Sequence, residues 1–240
     1  MRTFAKLILL VILIFISCSK DKNKTNDYLV LLALAKQSAI YESADCQKDY
    51  TLNPAYTALN LSSKYTSDLK QYKNVWLGDS SVKFSEGFSG FHDPENTQIN
   101  AVPGDTLCDY VSRFRISIKT EIPQNLIIQT KGGNDFLRQY SDSVIVEAFT
   151  ELHTKVKARF PNTKICYVEV HRTVNAYANS ARLRLTPQFK TISNGAYWVN
   201  VDSCFSDPVT TDQLPDGIHF SAVTALCVKN QIQVQCGVQL

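Results

Sequence analysis

From Lys73 onward, short apolar runs alternate with longer stretches of helical spacing. Five runs are β-favouring and each gives way to turn residues: 74–77, 98–102, 126–130, 165–170 and 197–201. Apolarity within them is continuous rather than alternating. That predicts strands buried on both faces, as in a parallel sheet. Between them, apolar residues recur every three or four positions. The segment 105–118 carries Leu107, Tyr110, Val111 and Phe114. The segment 136–160 carries Leu137, Val144, Ile145, Ala148, Phe149, Leu152 and Val156, and stops at Pro161-Asn162. A third helical stretch covers 173–185. Strands alternating with helices predict an α/β fold with right-handed crossovers and helices on both sheet faces. Ligands of such sheets bind beyond the carboxyl ends of the strands. The residues directly after each strand therefore carry the functional information.

The N-terminus follows another pattern. Arg2 and Lys6 precede an apolar run from Leu7 to Ile16, which ends at Ser17-Cys18. The run is too short for a membrane span, which needs about 20 residues. A basic start, a short apolar core and a small residue predict a secretory signal. Cys18 opens the polar tether Ser19-Lys20-Asp21-Lys22-Asn23-Lys24. This junction resembles a bacterial lipoprotein signal, in which the cysteine is acylated and becomes the mature N-terminus. Ser17 fits that pattern, while Phe15 and Ile16 are bulkier than it usually has. The resemblance implies an exported protein held on a membrane of the bacterial envelope by several acyl chains, since one alone anchors marginally. The expected organisation is a signal peptide over 1–17, a lipidated tether over 18–27, an N-terminal helical extension over 28–72 and an α/β domain over 73–240. Within the extension, 27–43 suits a short helix packed on the domain.

Composition narrows the partners. A formal charge of +3 over 240 residues, with basic residues scattered, gives no footprint for nucleic acid. A monomer is expected. Of seven cysteines, Cys18 is assigned to lipid, leaving Cys46, Cys108, Cys166, Cys204, Cys227 and Cys236. An even number in an exported chain predicts disulfides, whose pairing the sequence leaves open. Cys166 lies in the buried-strand pattern Lys164-Ile165-Cys166-Tyr167-Val168, so it reads equally well as a free core thiol. No cysteine or histidine spacing suggests zinc.

Four segments after the strands carry chemistry. Gly78-Asp79-Ser80-Ser81 follows the first; a glycine lets the chain turn sharply, and a serine there is lifted to where a substrate can reach it. Pro103-Gly104-Asp105-Thr106 follows the second. Asp105 is a good helix N-cap, and the uncovered Gly104 N–H suits a developing negative charge. Lys131-Gly132-Gly133-Asn134-Asp135 follows the third, with the Asn134 amide as donor. Near the C-terminus, Asp216-Gly217-Ile218-His219 places a carboxylate within one turn of an imidazole. Each alone reads as turn chemistry. Together they complete a hydrolytic site. Ser80 is the nucleophile and His219 its general base; Asp216 orients His219. The Ser80 and Gly104 N–H groups and the Asn134 side chain form an oxyanion hole.

In order and content, these four blocks resemble the SGNH, or GDSL-like, hydrolases. The resemblance covers about 73–229, and departs at Ser81, where the family often has Leu or Ile. It implies a three-layer α/β/α sandwich with a five-stranded parallel sheet (flavodoxin-like), no metal and no cofactor. It also implies cleavage of carboxylic esters: short acyl or acetyl groups on glycans or lipids. Two other readings stand beside it: a surface binding or adhesion lipoprotein on the same scaffold, and an acyltransferase. Of the remaining histidines, His92 has no partner pattern, and His153 is expected to be solvated on the long helix. His171 follows the fourth strand and is a candidate to line the cleft, with Arg172 beside it for an anionic group. Phe84, Phe88 and Phe91 either wall the acyl side of the site or pack their own loop.

Overall fold

The computed structural model describes residues 71–117, 122–129 and 133–240. The signal, the lipidation site Cys18, the tether and nearly all of the helical extension lie outside the described residues, as do Cys46 and Gly132.

All five expected strands form: β1 (Asn74–Gly78), β2 (Thr97–Ala101), β3 (Asn125–Gln129), β4 (Lys164–Val168) and β5 (Tyr197–Val199). They pair in parallel in the order β2-β1-β3-β4-β5. Their side chains alternate between two cores. Val75, Leu77, Leu126, Ile128, Ile165 and Tyr167 enter one cluster; Trp76, Ile127, Cys166 and Val168 enter the other. Both faces are covered, so the strands read as continuous apolar runs.

The helices are α1 (Ser80–Ser85), α2 (Leu107–Ser117), α3 (Gly133–Leu137), α4 (Asp142–Arg159), α5 (Ala176–Ile192) and α6 (Ala222–Cys236). Leu107, Phe136, Phe149 and Leu185 bring α2 to α5 onto the first core, while Val82 and Ala225 bring α1 and α6 onto the second. The result is a three-layer α/β/α sandwich.

Three expectations change and one open question is answered. The long helix over 136–160 is two helices, broken where Gln139 adopts a left-handed φ of 59° and Ser141 starts α4. The stretch over 173–185 starts at an Asn175 cap and continues past Pro187 to Ile192. Pro187 removes one N–H and frees the Leu183 carbonyl, but Leu183 and Pro187 are both exposed, where water can take that carbonyl. α1 and α6 were not expected as helices. α6 buries Ala225, Val228, Ile232 and Cys236, starts at a Ser221 cap and ends at Gly237, whose φ of 64° is left-handed. Finally, Cys166 is not a free thiol. It pairs with Cys236, bridging β4 to the end of α6 at a Cα separation of 6.3 Å. Cys204 pairs with Cys227, and Cys108 is also disulfide-bonded. These bridges fit an oxidising compartment and hence export. Among the described residues no helix is long and apolar enough to cross a membrane.

Gly78 joins β1 to α1 through a contact that leaves no room for a side chain. A Cβ there would sit 2.3 Å from the Cβ of Val82, itself fully buried. Gly78→Ala is expected to lower stability by roughly 1–3 kcal/mol through overpacking, measured as a shift of the urea midpoint. An unchanged midpoint would mean that α1 does not sit this tightly on the strand end.

Candidate active site

Asp79 leaves β1 and caps α1, its carboxylate accepting the Ser81 N–H at 2.9 Å. That cap puts Ser80 at the head of the helix, at the carboxyl edge of the sheet. Its residue surface is 8% exposed, so the serine is largely buried at that edge.

The turn after β2 is bent by Gly104, whose φ of 79° is left-handed. Two groups from the segment after β3 hold this turn. Asn134 Nδ2 donates to the Asp105 carbonyl at 2.7 Å, and an Arg138 guanidinium N–H donates to the Gly104 carbonyl at 3.0 Å. Asp135, fully buried, accepts the Leu107 N–H at 3.1 Å, so it caps the start of α2 from across the site. Sequence reasoning had given Asp105 the capping role. The structure brings Asn134 to the turn that holds Gly104, and the Asn134 amide has a second N–H beyond the one given to Asp105.

Asp216 organises the fourth segment. Its Oδ1 accepts the Ile218 N–H at 3.0 Å and the His219 N–H at 2.8 Å. Its Oδ2 meets His219 Nδ1 at 2.5 Å. An ionised carboxylate is acceptor-only, so Nδ1 carries the proton and Nε2 is left as the acceptor. Desolvation pushes the Asp216 carboxyl up, but the bonds from the His219 backbone and ring and from Ile218 outweigh it and hold it down to about 2. Gly217 makes the turn possible. Its φ is 81°, and a Cβ would lie 2.6 Å from a Val174 methyl.

The imidazole of His219 lies over α1. Its ring meets Phe84 edge-on with centroids 4.7 Å apart, and Phe84 is one helical turn beyond Ser80. Asp79 and His219 are both near enough for their charges to act on the buried ring of His171. The sequence elements from β1 and from the C-terminal turn thus converge. Among the described residues no hydrogen bond joins the Ser80 hydroxyl to His219. Such bonds are often long before substrate binds and tighten in the complex.

Other candidates resolve differently. Arg172 is not held out for an anion: it pairs with Asp207 at 2.9 Å and with Asp202 at 3.5 Å. His171 is buried rather than cleft-lining, its Nε2 at 2.8 Å from the Ile218 carbonyl. His153 is half-buried, not solvated. It bonds the Tyr167 hydroxyl at 2.9 Å, and burial, with Lys157 nearby, lowers its pKa. Burial also lowers that of His92, which packs beside Phe91. The three phenylalanines divide. Phe91 is fully buried against Trp76, Phe88 packs partly on the same core, and Phe84 is half-exposed beside His219. Sequence reasoning missed the placement of Phe84 because it missed α1. The signal was Asp79 as a cap ahead of Ser80-Ser81-Val82. A cavity of about 290 Å³ opens near the amino ends of β4 and β5, lined in part by His153, Lys164 and Tyr197. It contains none of the four motif segments, and parallel sheets bind ligands at the opposite edge.

No protein-family model and no curated protein sequence matches this chain. Solved structures do. A GDSL-like lipase from Bacteroides thetaiotaomicron aligns with a TM-score of 0.59 at 15% identity, covering 75% of this chain and 95% of the other. A Bacteroides fragilis protein assigned as an acylhydrolase aligns with a TM-score of 0.65 at 16% identity, covering 78% and 98%. An acetylxylan esterase from Geobacillus stearothermophilus aligns with a TM-score of 0.55 at 16% identity, covering 70% and 95%. The chain therefore has the fold of the SGNH, or GDSL-like, hydrolases.

The depressed Asp216 pKa has a sign that can be checked. The folded value lies below the ordinary one of 3.8, so the carboxylate's stabilisation is fully present above 3.8 and is lost as pH falls through about 2. The Asp216 carboxyl ¹³C shift is expected to titrate with a midpoint near 2. A midpoint at 3.8 or above would mean that the turn does not hold its carboxylate in solution.

Proposed function

We propose that the protein is an exported serine ester hydrolase that cleaves short acyl or acetyl esters of glycans or lipids through an acyl-enzyme on Ser80. One observation carries the reading: an Asp216–His219 pair with its acceptor nitrogen left open, set over the helix that Ser80 heads. The GDSL-like lipase and the acetylxylan esterase among the similar folds support an ester as substrate.

In the proposed reaction, His219 Nε2 takes the Ser80 hydroxyl proton as Oγ attacks the ester carbonyl carbon. Negative charge collects on the carbonyl oxygen, where the Ser80 and Gly104 N–H groups and the second N–H of Asn134 receive it. The ester C–O bond then breaks and His219 returns its proton to the departing alcohol. Water, deprotonated by the same nitrogen, attacks the acyl-enzyme, releasing the acid and restoring Ser80. Asp216 stays ionised and stabilises the imidazolium. Phe84, half in water beside His219, offers an apolar wall for the acyl group.

With short p-nitrophenyl esters and a fluorophosphonate probe, the wild type is expected to turn over and to be labelled at Ser80. Ser80→Ala should lose both signals, and Asn134→Ala should cost about 10² to 10³ in kcat. Equal hydrolysis by wild type and Ser80→Ala would sink the reading.

We also propose that Cys18, outside the described residues, anchors the protein by lipid. Cys18→Ala should move the protein from the membrane fraction to the soluble one and stop its labelling by a palmitate analogue. Labelling that persists would place the anchor elsewhere.

A further inference from the structure

His171 has no part in the reaction just described, yet it is built into the site. The residue is 6% exposed and packs against two aromatic rings: Phe205, stacked at 5.6 Å between centroids, and Phe220, edge-on at 4.6 Å. Its Nε2 stands 2.8 Å from the Ile218 carbonyl. A carbonyl only accepts, so Nε2 carries a proton and donates it.

The bond goes to the residue immediately before His219. A second bond joins it from the same segment: the Val174 N–H donates to the Gly217 carbonyl at 3.2 Å. Residues 171–174, leaving β4, thus grip two successive carbonyls of the turn that carries the base. The bonds of Asp216 to Ile218 and His219 lie wholly within that turn. They orient the imidazole relative to the turn, but they do not fix where the turn stands relative to Ser80. The grip from the β4 end ties the turn to the sheet.

We infer that His171 is a positioning residue: by donating Nε2–H to the Ile218 carbonyl it seats the Asp216–His219 turn over Ser80. The inference rests on the hydrolase reading of this site. Burial favours the neutral ring and lowers its pKa. Of the charged groups that act on it, Asp79 opposes this, while His219 and Arg182 reinforce it. Loss of the donor leaves the Val174 bond as the one backbone tie from this segment to the turn, and a misplacement of about 1 Å can cost roughly 10² in rate.

Two variants separate the donor from the ring. His171→Phe keeps an aromatic ring packed against Phe205 and Phe220 but removes the donor. His171→Gln keeps an N–H near Nε2. His171→Phe is expected to lower kcat by about 10- to 100-fold with KM little changed, and to slow fluorophosphonate labelling of Ser80 in parallel. The Asp216 carboxyl should still titrate near 2 in this variant, because its own bonds survive. A collapsed site would lose that signature. His171→Gln should recover most of the rate. The ring's ¹⁵N shifts in the wild type are a readout that needs no variant to fold: a proton on Nε2 throughout about pH 5 to 8 is expected. A proton on Nδ1 instead, or a His171→Phe enzyme with wild-type kcat, overturns the inference. Equal activity in wild type and Ser80→Ala marks a different failure, that of the hydrolase reading, and leaves the tautomer measurement to decide the contact itself.

Discussion

A sheet buried on both faces has to place its chemistry at its edges, and that constraint organises this molecule. The order β2-β1-β3-β4-β5 sends the chain after β1 and after β3 to opposite layers, as α1 and α6 share one core while α2 to α5 share the other. A crevice between those two departures follows from the strand order, and ligands of doubly wound sheets bind there. Asp79 and Ser80 leave on one side of it, and Asn134 on the other. Strand order thus brings residues far apart in sequence to one edge before any side-chain contact is made.

The proposed base, His219, reaches that edge by another route. Asp216 and His219 lie on an irregular segment between η1 (Asp202–Cys204) and α6, with no strand beneath them. The Cys204–Cys227 bridge closes a 23-residue loop that contains this whole segment, so fewer conformations are open to it before folding. The Cys166–Cys236 bridge pins the far end of α6 to β4. Phe205 and Phe220, one on either side of the turn in sequence, pack their rings 6.0 Å apart in the second core. Disulfides and rings give the segment the rigidity that a ladder of hydrogen bonds gives the strands.

Much of this was legible in the sequence, for reasons that differ by element. The strands were legible because burial on both faces leaves an unbroken apolar run, and their bounds moved by a residue or two. Three of the four motif segments were legible because each sits where a strand ends, and the fourth because Asp216 stands three residues before His219. The break at Gln139 was not, since no glycine or proline marks it and only the backbone reveals the left-handed residue. α5 was cut short because proline usually ends a helix, whereas here the freed carbonyl lies on an exposed face. α6 was hidden by polar residues such as Asn230, Gln231 and Gln233 between its core positions, though Ser221 and Gly237 marked both ends. The fate of Cys166 was open because a strand cysteine packs equally well as thiol or bridge. The links of Arg172 to Asp202 and Asp207 could not be read, because long-range ion pairs leave no local pattern.

The exposure of Asp216 raises a physical question about its usefulness. Its side chain is 56% exposed, and ion pairs in water contribute little, roughly 0 to 1 kcal/mol. A carboxylate held by the imidazole alone would not orient that ring dependably. Here two backbone N–H groups bind Oδ1 independently of the ring, so the carboxylate has its direction before His219 meets it. Bonds from N–H groups to a charged acceptor are stronger than neutral ones, and they cost no side-chain freedom on the donor side. The turn fixes the acid, the acid fixes the tautomer, and the tautomer leaves Nε2 free to accept. An exposed aspartate can therefore do in this short turn what a buried one does elsewhere, provided that Gly217 can take the left-handed conformation the turn requires.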